Sequence, residues 1–336
     1  MPEPFIIAEI AQGFEGKPAQ AMSLVSAAAA AGADAAKLQL VYADELATPD
    51  YKHYELFRKL EMADAVWREL AAQARDLRIA LFLDVYGPRS LALAQAVGVT
   101  TVKIHSTDMS NPGLLQAVAA SAIAEILLST GGCTASEIEH AIDRLGGKRL
   151  VLLHGFQGYP TPTEANQIRR LQEFAARYGK RAGLRFGFAD HADPESPLSL
   201  LLAAAALGAG ATVIEKHLTL ARAMRLEDHE SALNPDEFAS FVRQMRNCAA
   251  ALGTPVAAED FGMHDAERGY RDMTHKHVVA ARDLPAGTVL VAADLALKRT
   301  ASAAFLHSAG EAVGRRLRIA TRRDQAIGPD MLEAPA

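Results

Sequence analysis

The sequence predicts an α/β chain, a (β/α)₈ barrel followed by a small, mainly β module. Three observations carry this. Eight short β-type runs alternate with alanine- and leucine-rich helical stretches at fairly regular intervals. A polar residue stands at or just after nearly every run, as expected where strand ends ring a barrel mouth. Beyond residue 252 the alternation breaks, and only shorter β-type runs follow. An open doubly wound sheet fits the same alternation, but it gathers its ligand groups at one switch point.

The eight runs fall at 5–10, 35–40, 79–85, 101–105, 124–129, 149–154, 184–188 and 211–215. The polar residues at their ends are Glu9, Lys37 with Gln39, Asp84, Lys103 with His105, Ser129, His154, Asp190 with His191, and Glu215 with His217. Between the runs, Ser136 with Glu139 has capping-box spacing and Asp64 precedes the helical stretch 67–77, in which Trp67 reads as packing. The apolar stretches 27–31 and 198–207 are bounded by Gly32 and Gly208 and are too short to cross a bilayer, so they read as buried helices. The barrel is expected over residues 1–253 and a linker over 254–274, marked by Pro255, Gly262 and Gly269. The β module is expected over 275–336, with strands at 277–281 and 289–291 and a turn at 284–287.

Composition limits the function. A chain of 336 residues, half of them apolar, can bury a large core. A net charge of -5 with both signs interspersed supplies no basic field for nucleic acid. Cys133 and Cys248 lie far apart, with neither metal-ligand spacing nor a disulfide framework, and no leader-like segment opens the chain, so a reduced cytoplasmic compartment away from membranes is expected.

The clearest chemical signal is His191 and His217. Each follows an apolar run with an acidic residue close before it, in Gly187-Phe188-Ala189-Asp190-His191 and Val213-Ile214-Glu215-Lys216-His217. On neighbouring strands their imidazoles would converge where a divalent metal or a polarised carbonyl sits. Blander readings stand beside this one: Glu9 forms an interior salt bridge with Lys37 or Lys103, His154 packs in the core or lines the pocket, His229 is a solvated loop residue, and Lys298-Arg299 is an exposed basic pair.

Several stretches together resemble the sialic acid (N-acetylneuraminate) synthase family across almost the whole chain. They are Ile7-Ala8-Glu9-Ile10, Gly32-Ala33-Asp34-Ala35-Ala36-Lys37-Leu38-Gln39, Lys103-Ile104-His105-Ser106-Thr107-Asp108, Tyr159-Pro160-Thr161-Pro162, Asp190-His191, Glu215-Lys216-His217-Leu218-Thr219-Leu220 and Asn234-Pro235-Asp236-Glu237-Phe238. In the tail, Asp294-Leu295-Ala296-Leu297-Lys298-Arg299 is similar to the signature of that family's antifreeze-like (SAF) domain.

The resemblance implies condensation of phosphoenolpyruvate with the open-chain aldehyde of an N-acylated amino-hexose, giving a nonulosonic acid and phosphate. It implies a divalent cation on His191 and His217, Mn²⁺ first, with Mg²⁺, Co²⁺ or Zn²⁺ as alternatives. Glu9 would move the proton of water addition, Lys37 and Lys103 would pair with the donor's carboxylate and phosphate, and Ser106 would add a hydroxyl. Gln39, Tyr159 and Asp228 would hold the acceptor, with Asp190, Glu215 and Asp108 as further active-site carboxylates. In a domain-swapped homodimer, Arg299 of one chain would cover the partner's barrel mouth.

This chain also departs from the family's pattern. Gln12-Gly13-Phe14-Glu15-Gly16 replaces an Asn-His-Asn-Gly loop, and Leu83-Asp84-Val85-Tyr86 replaces Ser-Thr-Pro-Phe. Ala189 stands for a serine, His105 for an alanine, and Gly155-Phe156-Gln157 for a Cys-Thr-Ser or Cys-Thr-Asn stretch, with Gln157 a candidate substrate contact. Asp84 and His105 are therefore expected to remodel the donor pocket, by enlarging a metal shell or by pairing with each other. Two other readings stay open: a related carbon–carbon lyase or aldolase acting on a different keto acid or sugar, and a catalytically silent sugar-acid binding protein.

Overall fold

The computed structural model describes residues 3–156, 158–254, 256 and 259–334, and the chain divides into two compact units, Met1–Thr254 and Pro255–Ala336. The first begins with β1 (Phe5–Ala11), α1 (Pro18–Ala30), β2 (Ala35–Gln39), α2 (Ala43–Leu46), α3 (Tyr54–Leu60), α4 (Asp64–Asp76), β3 (Ala80–Asp84) and α5 (Pro88–Ala96). It continues through β4 (Thr101–Ile104), α6 (Pro112–Ala120), β5 (Glu125–Ser129), α7 (Ala135–Arg144), β6 (Arg149–His154) and α8 (Arg170–Tyr178). It ends with β7 (Leu184–Asp190), α9 (Leu201–Gly208), β8 (Val213–Leu218), β9 (Ala232–Leu233) and α10 (Pro235–Leu252). Strands β1 to β8 pair in sequence order, all parallel, and β8 returns to β1, so the sheet closes into the expected barrel.

Strand alternation separates two cores. Ile7, Ala35, Phe82, Leu127, Val151, Leu153 and Val213 fill the barrel interior. The residues one position along, such as Ile6, Leu38, Leu83, Leu128, Leu152, Phe188 and Ile214, pack outward against the helices. Gly187 belongs to the inner set, and a Cβ there would stand 2.8 Å from both the Val213 carbonyl oxygen and a Leu153 methyl.

The helices begin where the chemistry of their ends allows. Pro18, Pro88, Pro112 and Pro235 open α1, α5, α6 and α10, where a missing N–H costs nothing. The capping box of α7 is formed by Thr134 and Glu137, two residues before the spacing read from Ser136 and Glu139. Ser136 already lies inside the first turn, so Thr134 meets the free amides. Trp67 packs edge-on against Phe14, with ring centroids 5.9 Å apart. No helix among the described residues is long and apolar enough to cross a membrane.

Strands β7 and β8 run farther than the sequence runs suggested, to Asp190 and Leu218, and alternation therefore governs their last residues too. Asp190 falls on the outward parity with Phe188, and Lys216 on that with Ile214. They form a fully buried ion pair at 3.2 Å, in which Asp190 also accepts from the Ala192 amide and Lys216 donates to the Ala192 carbonyl. The expectation of Asp190 as an active-site carboxylate is thus corrected: its side chain lies behind the sheet. His154 shares that parity on β6, and its Nε2 lies 2.7 Å from the Asn166 carbonyl oxygen.

In the second unit the segment read as a linker carries α11 (Asp265–Thr274). Then β10 (His277–Ala280) and β11 (Leu295–Lys298) pair antiparallel, with His277 opposite Lys298. The stretch read as a strand at 289–291 contributes an isolated bridge from Val289 to Arg316 instead. A small core of its own, including Val278, Leu284, Leu290, Leu306, Leu317 and Ile327, holds this unit together.

Replacing Lys216 by Met strands the Asp190 carboxylate in a dry layer and is expected to cost about 3–5 kcal/mol of stability. The double change Asp190→Leu, Lys216→Met should recover most of that, read from urea unfolding midpoints. An unshifted midpoint for the single variant would show that the pair carries no such role.

Candidate active site

Parallel register brings the inward polar residues into one belt at the strands' C-terminal ends. Glu9 is level with Lys37 on one side and with His217 on the other, while Asp84 is level with Gln39 and Lys103. The two ammonium groups meet three carboxylates. Lys37 pairs with Glu9, lies 2.8 Å from Asp84 and 3.6 Å from Glu215, whereas Lys103 lies 2.6 Å from Glu215 and 3.7 Å from Glu9. All five side chains are buried. The second oxygen of Glu9 accepts from the Ala11 amide at 2.7 Å, where β1 bulges and Ala11 takes the left-handed backbone at φ 49°. One oxygen of Asp84 and one of Glu215 have no hydrogen-bond partner among the described residues.

Three carboxylates against two cations leave one negative charge that the barrel floor cannot solvate. Burial pushes Glu9 up, Lys37 pulls it down, and Glu215 and Asp84 push it up again, to about 8. Burial also opposes the charge on Glu215, but Lys103 and Lys37 outweigh it and hold that carboxyl well below the usual range. Lys37 loses to burial less than it gains from Asp84, Glu215 and Glu9, so it stays charged. The surplus proton therefore rests on Glu9.

Beside this belt, His191 and His217 stand with ring centroids 5.3 Å apart, and the Tyr159 ring lies 4.7 Å from the first and 5.7 Å from the second. Burial, then Lys103, lowers His191 to about 4; burial and His191 hold His217 well below its ordinary value. Both rings are neutral. The Nδ1 of His191 lies 2.7 Å from the Phe156 carbonyl oxygen, which fixes Nδ1 as the protonated nitrogen and leaves Nε2 with a lone pair.

Above the belt opens a cavity of 720 Å³, lined among others by Gln12, Gln39, Tyr86, His105, Tyr159 and Asp228. Gln12 donates to the Gln39 side-chain oxygen at 2.8 Å. Asp228 sits in a left-handed turn at φ 64°, and burial together with Glu227 and Glu230 raises it to about 6. Tyr86 and Glu45, which also line this cavity, were not singled out from sequence. For Tyr86 the signal was available, since it follows Asp84 at the next inward position.

Other expectations meet different surroundings. His105 reaches the cavity, but its ring nitrogen contacts the Thr107 hydroxyl at 3.1 Å, and Asp84 is engaged by Lys37, so the pairing of Asp84 with His105, one of the two arrangements expected of them, is not formed. Asp108 accepts from Asn111 at 3.0 Å and braces the turn into α6. Ser106 is half-buried at the start of that turn. Gln157 lies outside the described residues. Arg299 belongs to the second unit, where it is exposed and donates from Nε to the Thr274 carbonyl at 3.0 Å.

Comparison with known proteins places the arrangement in a family. Residues 24–257 match the NeuB family and residues 276–333 match the SAF domain. The chain is 28% identical to the N,N'-diacetyllegionaminic acid synthase of Legionella pneumophila, over 93% of this chain and 90% of that protein. It is 26% identical to the human N-acetylneuraminate-9-phosphate synthase, over 88% and 82% respectively. Among solved structures it is similar to the N-acetylneuraminic acid (sialic acid) synthetase from Leptospira borgpetersenii in complex with citrate, with a TM-score of 0.72, 27% identity, and coverage of 80% of this chain and 92% of that one. The chain belongs to the NeuB family, an enzyme built as a (β/α)₈ barrel followed by a SAF domain.

Proposed function

We propose that this enzyme condenses phosphoenolpyruvate with the open-chain aldehyde of an N-acylated amino-hexose, giving a nonulosonic acid and phosphate, with a divalent cation on His191 and His217. The observation that carries the reading is the belt of Glu9, Lys37, Asp84, Lys103 and Glu215, set beside two neutral imidazoles beneath a 720 Å³ cavity. The relatives named as legionaminic and neuraminate-phosphate synthases support it.

The donor set suits a cation of the Mn²⁺, Co²⁺ or Zn²⁺ type: two uncharged rings, one of them locked by the Phe156 carbonyl so that its other nitrogen is available. Bound there, the ion supplies Lewis-acid polarisation of an aldehyde oxygen. Lys37 and Lys103 offer the donor's carboxylate and phosphate buried positive charge. Glu9, carrying its proton near neutrality, gives it to the aldehyde oxygen as C3 attacks, and the carboxylate so formed takes a proton back from the water that adds to C2 before phosphate leaves. The homodimer belongs to the same proposal, supported by the exposed position of Arg299.

A second reading has an observation of its own. Asp84 already engages Lys37 at 2.8 Å, which favours a lyase or aldolase that takes a less anionic donor. The two are separated by phosphate release from phosphoenolpyruvate, Mn²⁺ and a panel of N-acylated hexosamines. Turnover that falls to background on chelation and returns with Mn²⁺ is the expected result. Cleavage of a nonulosonic acid with no phosphate requirement would favour the second reading.

Two variants probe the belt. Glu9→Gln is expected to lower kcat by roughly 10²–10⁴-fold. Because Glu9 is protonated below about 8, the wild type should lose kcat/KM above that pH, and the Gln variant should show no such limb. An identical limb in both would assign the titration elsewhere. Asp84→Thr frees Lys37 for the donor and is expected to lower KM for phosphoenolpyruvate by about tenfold, the equivalent of one charge-assisted contact; an unchanged or higher KM would show that Asp84 serves the donor rather than competing with it.

A further inference from the structure

The second unit holds a cluster of side chains that the barrel chemistry does not use. His275, His277 and His307 each present a ring nitrogen, and these nitrogens lie within 4.8 Å of one another. The ring centroids are 5.5, 5.6 and 6.1 Å apart. Local structure explains the convergence. The backbone turns extended at His275 where α11 ends, and two residues on in extended chain His277 projects to the same side. The amide of Val278 donates to the Leu306 carbonyl at 3.1 Å, so the 305–307 segment runs beside β10. With Val278 and Leu306 both facing the core, their neighbours His277 and His307 share the other side.

The surroundings suit a cation. His277 is buried and stacked on Phe305, with centroids 3.5 Å apart, which walls the cluster on one side. Nδ1 of His275 is buried without a hydrogen-bond partner among the described residues, a cost that a bound metal removes. The nearest lysine on the paired strand, Lys298, is engaged by Asp324 at 2.5 Å. His307 is exposed, leaving one side open to water.

We propose that His275, His277 and His307 form a metal site in the second unit that takes Zn²⁺, with water as the fourth ligand. Three nitrogens and no carboxylate select a late first-row divalent cation over Mg²⁺, Ca²⁺ or Mn²⁺. Zinc–nitrogen bonds of about 2.0–2.1 Å require the three donors to draw closer than 4.8 Å, which rotation of the exposed His307 ring and of His275 supplies. The ion ties together the end of α11, the start of β10 and the 305–307 segment in a unit with a small core. It also braces the strand pair that presents Arg299, since His277 is opposite Lys298 and Arg299 is bonded to Thr274, the residue before His275.

The site is independent of the barrel reading, and the test keeps the two apart. Metal-stripped full-length chain, wild type and His307→Gln, His275→Gln and His191→Gln variants, is dialysed against low micromolar zinc and the bound metal counted. The expected result is that His307→Gln and His275→Gln each hold one equivalent less than the wild type, while His191→Gln keeps that equivalent. Zinc should also raise the melting temperature of the His191→Gln variant and fail to do so once His307→Gln is added. Equal stoichiometry in wild type and both second-unit variants, with normal circular dichroism, would overturn the site.

Discussion

The arrangement of the barrel depends on one constraint: three carboxylates and two ammonium groups share a dry floor. Taken singly, each of these charges would cost several kcal/mol to bury. They persist because parallel register places opposite signs on neighbouring strands, Glu9 beside Lys37 and Asp84 beside Lys103, with Glu215 reaching both lysines from β8. The mismatch of one charge is resolved by a proton on Glu9. A site so balanced is already poised for proton transfer, because a ligand that adds or removes one charge shifts where that proton rests.

Side-chain alternation decides which residues join the floor. Glu215 and His217 face inward and Lys216 between them faces out, so one strand contributes both to the reactive belt and to the buried brace with Asp190. Gly187 and Ala189, at the inward positions of β7, keep that wall thin next to His191. The outer pair holds the ends of β7 and β8 in place behind the two imidazoles. Precision at the site thus rests on a layer that touches no substrate.

Much of this was legible in the sequence, for physical reasons. The eight runs are long, apolar and regularly spaced, and the ring of polar residues at their ends is what a barrel mouth requires. Glu9, Lys37, Lys103, Glu215, His191 and His217 all stand among the strand-end polar residues that position picks out, and the family resemblance implies their roles. What failed was the direction of side chains near strand ends. Ending β7 at Phe188 left Asp190 free to turn inward, whereas two more paired residues send it out. Pair partners were equally hidden: Asp84 meets Lys37 rather than His105, because a short carboxylate on β3 lies nearer the ammonium rising from β2. The histidines of the second unit joined through a pairing between residues 278 and 306 that no local pattern reveals.

The stretch after β3 changes more than one contact. Asp84 neutralises Lys37 from below, and from above the Glu45 carboxylate accepts the Arg89 and Ser90 amides, at 2.6 and 3.1 Å, at the first turn of α5. A helix N-terminus pointing toward a barrel mouth is a natural seat for phosphate, through its free amides and its partial positive charge. In this chain a side chain of the protein fills that seat. Glycine at position 87 permits it, since a Cβ there would stand 2.4 Å from the Glu45 carboxyl. Two carboxylates therefore occupy the positive groups nearest β3. An anionic donor that met Lys37 would compete with Asp84, and the rest of its charge balance would come from Lys103, on the other flank of β3, and from the proton of Glu9. Lys103 reaches Glu9 at 3.7 Å and Glu215 at 2.6 Å, and Glu9 is level with His217, so the charge still free to answer a ligand gathers beside the His191–His217 pair.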